Sequence, residues 1–211
     1  MTENTPPSRR YHHGNLRAAL IAEALDLARQ GGIDAVSVRE VTRRAGVSPG
    51  ALFRHFADKT ALMTAVAEEA IEHFHHGVMN AVTLHTGLDS AKQLRAIGRA
   101  FLAWAVDYPV HFEIISQRRA INFDQSEKLI RLNREIQQAV EQVLSLARQE
   151  GRLRVESDLA SLQIMARAQV YGLARMYIDG HFPSWGIDQE KAEKESERLL
   201  DLFLEALLGK G

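Results

Sequence analysis

Helical hydrophobic periodicity over almost the whole chain is the feature that most restricts the fold of this sequence. Apolar residues recur three and four positions apart, as in Leu20, Ala24, Leu27 and Ala28, and this spacing places them on one face of a helix. No segment shows the alternation of apolar and polar residues that is typical of a strand. The five prolines lie outside these periodic segments or at their starts, where a helix tolerates them. The sequence therefore predicts an all-α protein of about nine helices.

Capping residues and glycines predict where most helices begin and end. The first helix is predicted from Leu16 to Gln30, because Gly31 and Gly32 follow it. Three short elements come next, and Asp58 then caps a longer helix. The later helices are predicted at residues 59–76, at 90–106, in a short segment after Pro109, at 125–150, at 158–179 with Ser157 as the cap, and at 189–208.

Charge is distributed unevenly along the chain. Residues 1–60 carry nine Lys or Arg and six Asp or Glu, whereas residues 61–211 carry 17 and 21. The net charge of −1 therefore hides a basic N-terminal part, which is where a polyanionic partner is expected to bind. Cysteine is absent, which excludes disulfides and thiolate metal sites and fits a reducing compartment. With no apolar leader and no long uncharged apolar run, a cytoplasmic protein without a membrane partner is expected.

Two capped helix starts separated by Gly46 predict a helix-turn-helix within residues 37–56. Ser37, followed three residues later by a glutamate, forms a capping box that starts the first helix. Gly46 can adopt the left-handed conformation that a tight turn needs. Ser48 caps the second helix, with Pro49 at its first position. This geometry presents the second helix outward, where it can enter the major groove of DNA.

The outward side chains suit contacts to double-stranded DNA. Gly50 and Ala51 are small, so the backbone can approach the base edges closely, and Phe53 can contact a thymine methyl group. Arg54 can reach a phosphate or a guanine, and Lys59 lies in the first turn of the next helix, near another phosphate. The outward positions are Ser48, Pro49, Gly50, Ala51, Phe53, Arg54 and His55.

The segment AGVSPGALFRHFADK at residues 45–59, followed by Leu62, resembles the signature of the TetR/AcrR family of bacterial transcriptional regulators. The resemblance extends back to Gly14, and residues 11–17 resemble the first-helix start of one subgroup. It implies a homodimeric repressor that binds a near-palindromic operator and is released by a small-molecule ligand. The larger C-terminal part is similar to the family in length and helicity alone.

The same resemblance implies roles for individual residues. Ser37 matches a cap residue that also contacts phosphate, and Arg39 matches a position that reads a base in some relatives. His55 and Lys59 match phosphate-contacting positions. The base-facing start of the recognition helix is matched by Pro49, Gly50 and Ala51.

Two positions depart from the family pattern. The family commonly has Tyr where this chain has Phe53, so a hydrogen bond to phosphate is expected to be missing. It commonly has Ala where this chain has Thr42, so that helix contact is expected to be slightly opened. These departures favour an alternative function, a helical interaction or ligand-carrier module that no longer binds DNA.

The last two helices are apolar over more than one face. Seven large apolar residues fall within residues 199–208, and the preceding helix has apolar residues on two sides. Two apolar faces predict a core on one side and a partner on the other, so we expect a two-fold dimer through these helices. A dimer would place its recognition helices about 34–36 Å apart on the operator. An unusually buried helix of a monomer is the alternative.

A small-molecule pocket in the C-terminal part is implied by the resemblance alone. Aromatic side chains at helical spacing are otherwise typical of plain core. Arg118 and Arg119 could face an anionic ligand, although adjacent arginines point in different directions on a helix. The candidate lining residues are Phe101, Trp104, Phe112, Ile115 and Tyr171.

Metal binding and catalysis are weakly supported. Glutamates and histidines cluster at Glu69, Glu72, His73, His75 and His76, but a di-iron bundle needs a second Glu-x-x-His unit, which the sequence lacks. No metal or other cofactor is therefore expected. A catalytic helical protein stays open as an alternative only through a dispersed Ser-His-Asp set, because phosphate loops, cysteine nucleophiles and serine elbows are missing.

These interpretations divide the chain into three parts. Residues 1–13 are predicted to form a flexible arm, and residues 14–60 a helix-turn-helix DNA-binding domain. Residues 61–211 are predicted to form a helical domain for ligand binding and dimerisation.

Overall fold

The computed structural model describes residues 15–154 and 157–208, and over these ranges it contains nine α-helices, five short 3-10 segments and no strand. The all-α prediction is therefore confirmed. The chain separates into two compact units between Val66 and Ala67, inside the fourth helix. The predicted N-terminal arm lies outside the described residues.

The N-terminal unit is built from three helices and the first part of a fourth. These are α1 (Leu16–Gly31), α2 (Val38–Ala45), α3 (Pro49–Phe53) and α4 (Lys59–Leu84). Each contributes apolar side chains to one small core, because each presents them at helical spacing. Its fully buried members include Leu20, Ile21, Ala24, Val41, Leu52, Leu62 and Met63.

The C-terminal unit contains five further helices and the rest of α4, with one of the five at its centre. They are α5 (Ser90–Asp107), α6 (Pro109–Ser116), α7 (Glu127–Gln149), α8 (Leu159–Ile178) and α9 (Ala192–Leu208). The central element is α5, which packs against α7, α8 and α9. Gly98 permits a close contact with α9, because a Cβ at that position would lie 2.8 Å from Leu200 Cδ2.

Three helix boundaries differ from the sequence prediction. The helix α4 continues eight residues past His76, because Val78 is buried and Val82 packs against the core of the C-terminal unit. The cap of α8 is Asp158 and not Ser157, since its carboxylate accepts a hydrogen bond from Ser161 N at 2.8 Å. A 3-10 segment at residues 189–191 precedes α9. No helix within the described ranges is long and apolar enough to cross a membrane.

The turn between α2 and α3 depends on the left-handed backbone of Gly46. Gly46 has φ 67°, in the left-handed region, where a Cβ costs about 1–2 kcal/mol. The Gly46→Ala variant should therefore accelerate amide hydrogen exchange in α2 and α3 by about 5- to 30-fold, measured by mass spectrometry. Gly77→Ala is the matched control, because this glycine lies in α4 with no atom within 4 Å of an added Cβ. Equal exchange in the two variants would contradict the argument.

Candidate functional site

The first helix of the helix-turn-helix begins at a serine cap. Ser37 Oγ accepts a hydrogen bond from Glu40 N at 3.2 Å. Glu40 turns its carboxylate along the helix, where it accepts hydrogen bonds from Arg43 Nε at 2.9 Å and from Arg44 Nε at 3.3 Å. Its Oε1 also accepts from Arg43 Nη2 at 2.6 Å. The serine half of the capping box is therefore present, and the glutamate forms ion pairs with two arginines.

The turn closes through backbone hydrogen bonds around Gly46. Gly46 N donates to Arg43 O at 3.3 Å, and Val47 N donates to Thr42 O at 3.0 Å. The Thr42 side chain is buried, and its hydroxyl donates to Val38 O at 2.9 Å. The hydroxyl that distinguishes Thr42 from the family's usual alanine is thus hydrogen-bonded inside its own helix, which offsets the cost of burying it.

The second helix is short and is held by two apolar anchors. Ser48 Oγ accepts a hydrogen bond from Ala51 N at 3.3 Å and caps the helix start, where Pro49 is the first residue. Leu52 and Phe56 are buried in the core of the N-terminal unit. Because both anchors lie on one side, the opposite side of α3 is left to solvent.

Most of the predicted DNA-contacting residues lie on that solvent side. Phe53 is 51% exposed, so its ring is open to contacts outside this unit. Ala51 and Lys59 are half-buried. The exposed members of the predicted set are Ser37, Arg39, Ser48, Pro49, Gly50, Phe53, Arg54 and His55.

Ion pairing divides the cations of this surface into two classes. Glu40 engages Arg43 and Arg44, and the hydrogen bond from Arg43 lowers the pKa of Glu40 to about 2. Across the described ranges, Arg39, Arg54 and Lys59 have no carboxylate within ion-pair distance. These three cations are therefore available to phosphate or base acceptors.

The sequence analysis missed this division between paired and unpaired arginines, although the spacing of charged residues in α2 indicates it. Glu40 lies three and four residues before Arg43 and Arg44, which is the spacing of ion pairs on one helix face. Arg39 is adjacent to Glu40 and points to a different face. The spacing alone therefore separates the free arginine of α2 from the two paired ones.

The C-terminal unit contains a cavity of about 230 Å³ lined by residues of α4, α5, α7, α8 and α9. Of the five predicted pocket residues, Phe101 lines it. Trp104 and Phe112 lie in the adjoining core instead, and Ile115 and Tyr171 pack against that core. A role of these four residues in ligand binding stays a prediction.

Arg167 is the cavity residue that sequence reasoning missed. It lines the cavity from α8, with its Cζ 4.7 Å from the centre of the Phe101 ring and 5.6 Å from that of Tyr171. Arg118, in contrast, lies over the Phe123 ring at 3.3 Å and is not a lining residue. The available signal was the four-residue spacing of Arg167 and Tyr171, which places them on one face of α8.

The histidine-rich stretch of α4 packs against neighbouring side chains. His75 Nε2 lies 2.7 Å from Glu135 Oε2, and the His73 ring stacks on His111 with the centroids 5.8 Å apart. Glu72 pairs with Lys128 at 2.6 Å. In the part of the chain that the structure describes, no three His, Asp or Glu side chains are grouped so as to hold a metal ion.

Two family models match this chain. Residues 20–66 match bacterial regulatory proteins of the tetR family, and residues 94–207 match the tetracyclin repressor-like C-terminal domain. The second match covers more than half of the chain, and the first includes the whole of the turn and of α3.

Curated relatives match over a minor part of their length. The tetracycline repressor protein class A from transposon 1721 of Escherichia coli is 40% identical over 63 residues, 29% of this chain and 29% of the relative. The HTH-type transcriptional activator FasR of Mycolicibacterium smegmatis is 34% identical over 85 residues, 40% of this chain and 38% of the relative. The chain thus spans less than two fifths of either relative.

Solved structures match over nearly the whole chain. A protein with unknown function from Rhodococcus sp. RHA1 has a TM-score of 0.74 at 22% identity, over 95% of this chain and 100% of the other. The TetR family transcriptional regulator PfmR from Thermus thermophilus has a TM-score of 0.69 at 20% identity, over 88% of this chain and 97% of the other. At these identities the likeness concerns the fold.

Proposed function

This chain belongs to the TetR family of bacterial regulatory proteins, and on that premise we propose that it is a homodimeric repressor released from its operator by a small molecule. As a family member it is a DNA-binding transcriptional regulator. The proposal assigns residues 14–60 to DNA binding and residues 61–211 to ligand binding and dimerisation. It places the protein in the cytoplasm with its DNA and gives it no catalytic role.

The exposed, unpaired cations around α3 are the observation that carries the DNA-binding assignment. Arg39 is free of Glu40 and is assigned to a base edge, together with the small residues at the start of α3. Exposed Phe53 is assigned to a thymine methyl group, which an aromatic ring without a hydroxyl can contact. The phosphate contacts are assigned to Ser37, Ser48, Arg54, His55 and Lys59.

Exposed apolar side chains on α8 and α9 support a dimer through these helices. Ile164 is 70% exposed, and Leu202 is 47% exposed. Met165 and the neighbouring Ala168 and Ala206 are exposed as well. Large apolar side chains in a solvent-facing patch are typical of a protein interface, and a two-fold axis lets one patch cover its own copy.

Helix α4 supports coupling between ligand and DNA. Its first residue, Lys59, is assigned to phosphate, and its later residues Phe74 and Val78 line the cavity. A ligand that binds one arrangement of this helix more tightly than another shifts the population toward it, and this is the requirement for release. We propose repression because a dimer bound to its operator can block transcription without a surface that binds another protein. One curated relative is named a repressor and another an activator.

Selection of duplexes from a random DNA pool tests the proposed function. The purified full chain should enrich a near-palindrome whose half-sites lie about one helical turn apart, at near-physiological salt. The mechanism requires that each protomer place one recognition helix in the major groove. Retention of DNA without an enriched motif, lost on raising the salt, would contradict a sequence-specific regulator.

The two classes of arginine on α2 generate a prediction about specificity. Arg39→Ala should weaken binding to the selected duplex by about 1–3 kcal/mol, and weaken binding to a random duplex less, because a base contact is lost. Arg43→Ala is the matched control, since Arg43 is engaged by Glu40 and should cost less than about 0.5 kcal/mol. Equal losses on both duplexes, measured by fluorescence anisotropy, would show that Arg39 contacts phosphate.

The exposed patch on α8 and α9 generates a prediction about assembly. The double variant Ile164→Glu, Leu202→Glu should sediment as a monomer, because a dimer would bury both new carboxylates of each protomer in its interface. Leu84→Glu is the matched control, because Leu84 is 79% exposed but lies on α4. The wild-type chain and this control should sediment as dimers. Persistence of the dimer in the double variant would place the interface elsewhere.

A further inference from the structure

The walls of the C-terminal cavity are predominantly apolar. Ile97 and Phe101 line it from α5, Val140 from α7, Val170 from α8 and Leu204 from α9. Apolar walls of this kind favour an alkyl or aromatic group, because its burial removes apolar surface from water. A cavity of about 230 Å³ has room for an alkyl chain of medium length.

Polar groups lie along one side of the cavity, on two facing helices. Asn133 and Gln137 are four residues apart on α7, and Gln163 and Arg167 are four residues apart on α8. Four-residue spacing puts each pair on a single helix face. Gln163 Nε2 donates to the backbone oxygen of Gln137, so this amide links the two helices. Among the described residues that line the cavity, Arg167 is the charged one.

The guanidinium of Arg167 lacks a counter-ion. Its partners are the ring faces of Phe101 and Tyr171, and within residues 15–154 and 157–208 no carboxylate lies within 4.0 Å of it. Desolvation lowers the pKa of Arg167, and the nearby charge of Arg118 lowers it further, while Tyr171 raises it. Arg167 is nevertheless an exposed residue, so this desolvation is incomplete. Arginine remains protonated in proteins, so a partly desolvated cation with five N–H donors borders the cavity, where a carboxylate would accept two donors in parallel.

We propose that the cavity binds an amphipathic carboxylate with an alkyl chain of medium length, with the chain between the apolar walls and the carboxylate on the Arg167 guanidinium. The inference deepens the proposed function, on which it rests, because it gives the chemical class of the releasing ligand. A cationic ligand of the same shape would be repelled by Arg167 and Arg118. A neutral one would forgo the charge-assisted pair of hydrogen bonds that a carboxylate forms with a guanidinium.

Three probes of equal chain length test this class on the full-length protein. Octanoate, octanamide and octylammonium differ at the head group and share the alkyl chain. Isothermal titration should give octanoate a Kd at least about tenfold below that of octanamide, at one site per chain, and no measurable binding of octylammonium. Equal binding of octanoate and octanamide, or no binding of octanoate, would overturn the proposal.

Substitutions at one position assign the preference to its side chain. Arg167→Gln should remove the advantage of octanoate over octanamide, whereas Arg167→Lys should retain part of it, because a lysine keeps the charge without the paired donors. Arg131→Gln is the matched control, since Arg131 is an exposed arginine on α7 that pairs with Glu135. It should leave both Kd values unchanged. Retention of the full preference in Arg167→Gln would overturn the assignment even if octanoate binds.

Filling the cavity tests where the alkyl chain of the ligand lies. Ala166→Phe adds a ring at the cavity wall and should weaken octanoate and octanamide alike by at least about tenfold, with the helical circular dichroism unchanged. Unchanged affinity for both would place the ligand outside this cavity.

An operator-release assay separates the inference from the proposed function. If octanoate binds with the expected preferences but leaves the operator complex intact, the ligand class stands and release by this ligand fails. If octanoate does not bind while the operator is still recognised, the ligand class fails and the regulator stands.

Discussion

A helix of five residues has no stability of its own in water, so the position of α3 depends on the burial of Leu52 and Phe56. Both anchors lie on one side of the segment and fix its rotation about its own axis. Ser48 accepts a hydrogen bond from the Ala51 amide at the helix start, and the left-handed Gly46 ends α2 and turns the chain toward α3. The exposed side is therefore determined by what the opposite side buries. A sequence can vary the exposed positions without changing the scaffold.

Charge on this surface is organised by a single carboxylate. Glu40 forms ion pairs with Arg43 and Arg44, and Arg44 also donates to Gln30 Oε1 at 2.7 Å, which joins α2 to α1. Two of the three arginines of α2 thus support the scaffold, and Arg39 remains for a ligand. The lowered pKa of Glu40, about 2, keeps the carboxylate ionised at any pH at which the protein would meet DNA. Near neutral pH, Glu40 therefore stays paired with Arg43 and Arg44, and this pairing does not change with pH.

The features predicted correctly from sequence are those that depend on neighbours along the chain. The serine caps at Ser37 and Ser48 and the left-handed Gly46 involve residues within four positions of one another, so residue types and spacing identify them. The cavity, in contrast, is formed by five helices that are distant in sequence. No local pattern shows that Phe101 lines it while Trp104 and Phe112 lie in the adjoining core. The predicted end of α4 at residue 76 was wrong for the same reason. Its last turns are helical because a partner surface buries Val78, and that surface is formed elsewhere in the chain.

Arg167 has a physical cost that the fold alone does not explain. A leucine or methionine at this position would cover the same rings without a charge, and the exposure of Arg167 to solvent limits the cost of desolvating that charge. The contact with two ring faces offsets part of the desolvation, but a ring face is not an oxygen acceptor for the N–H donors. A bound carboxylate would accept two of these hydrogen bonds in parallel. The proposed ligand preference therefore follows from Arg167, the charged side chain among the described residues that line the cavity.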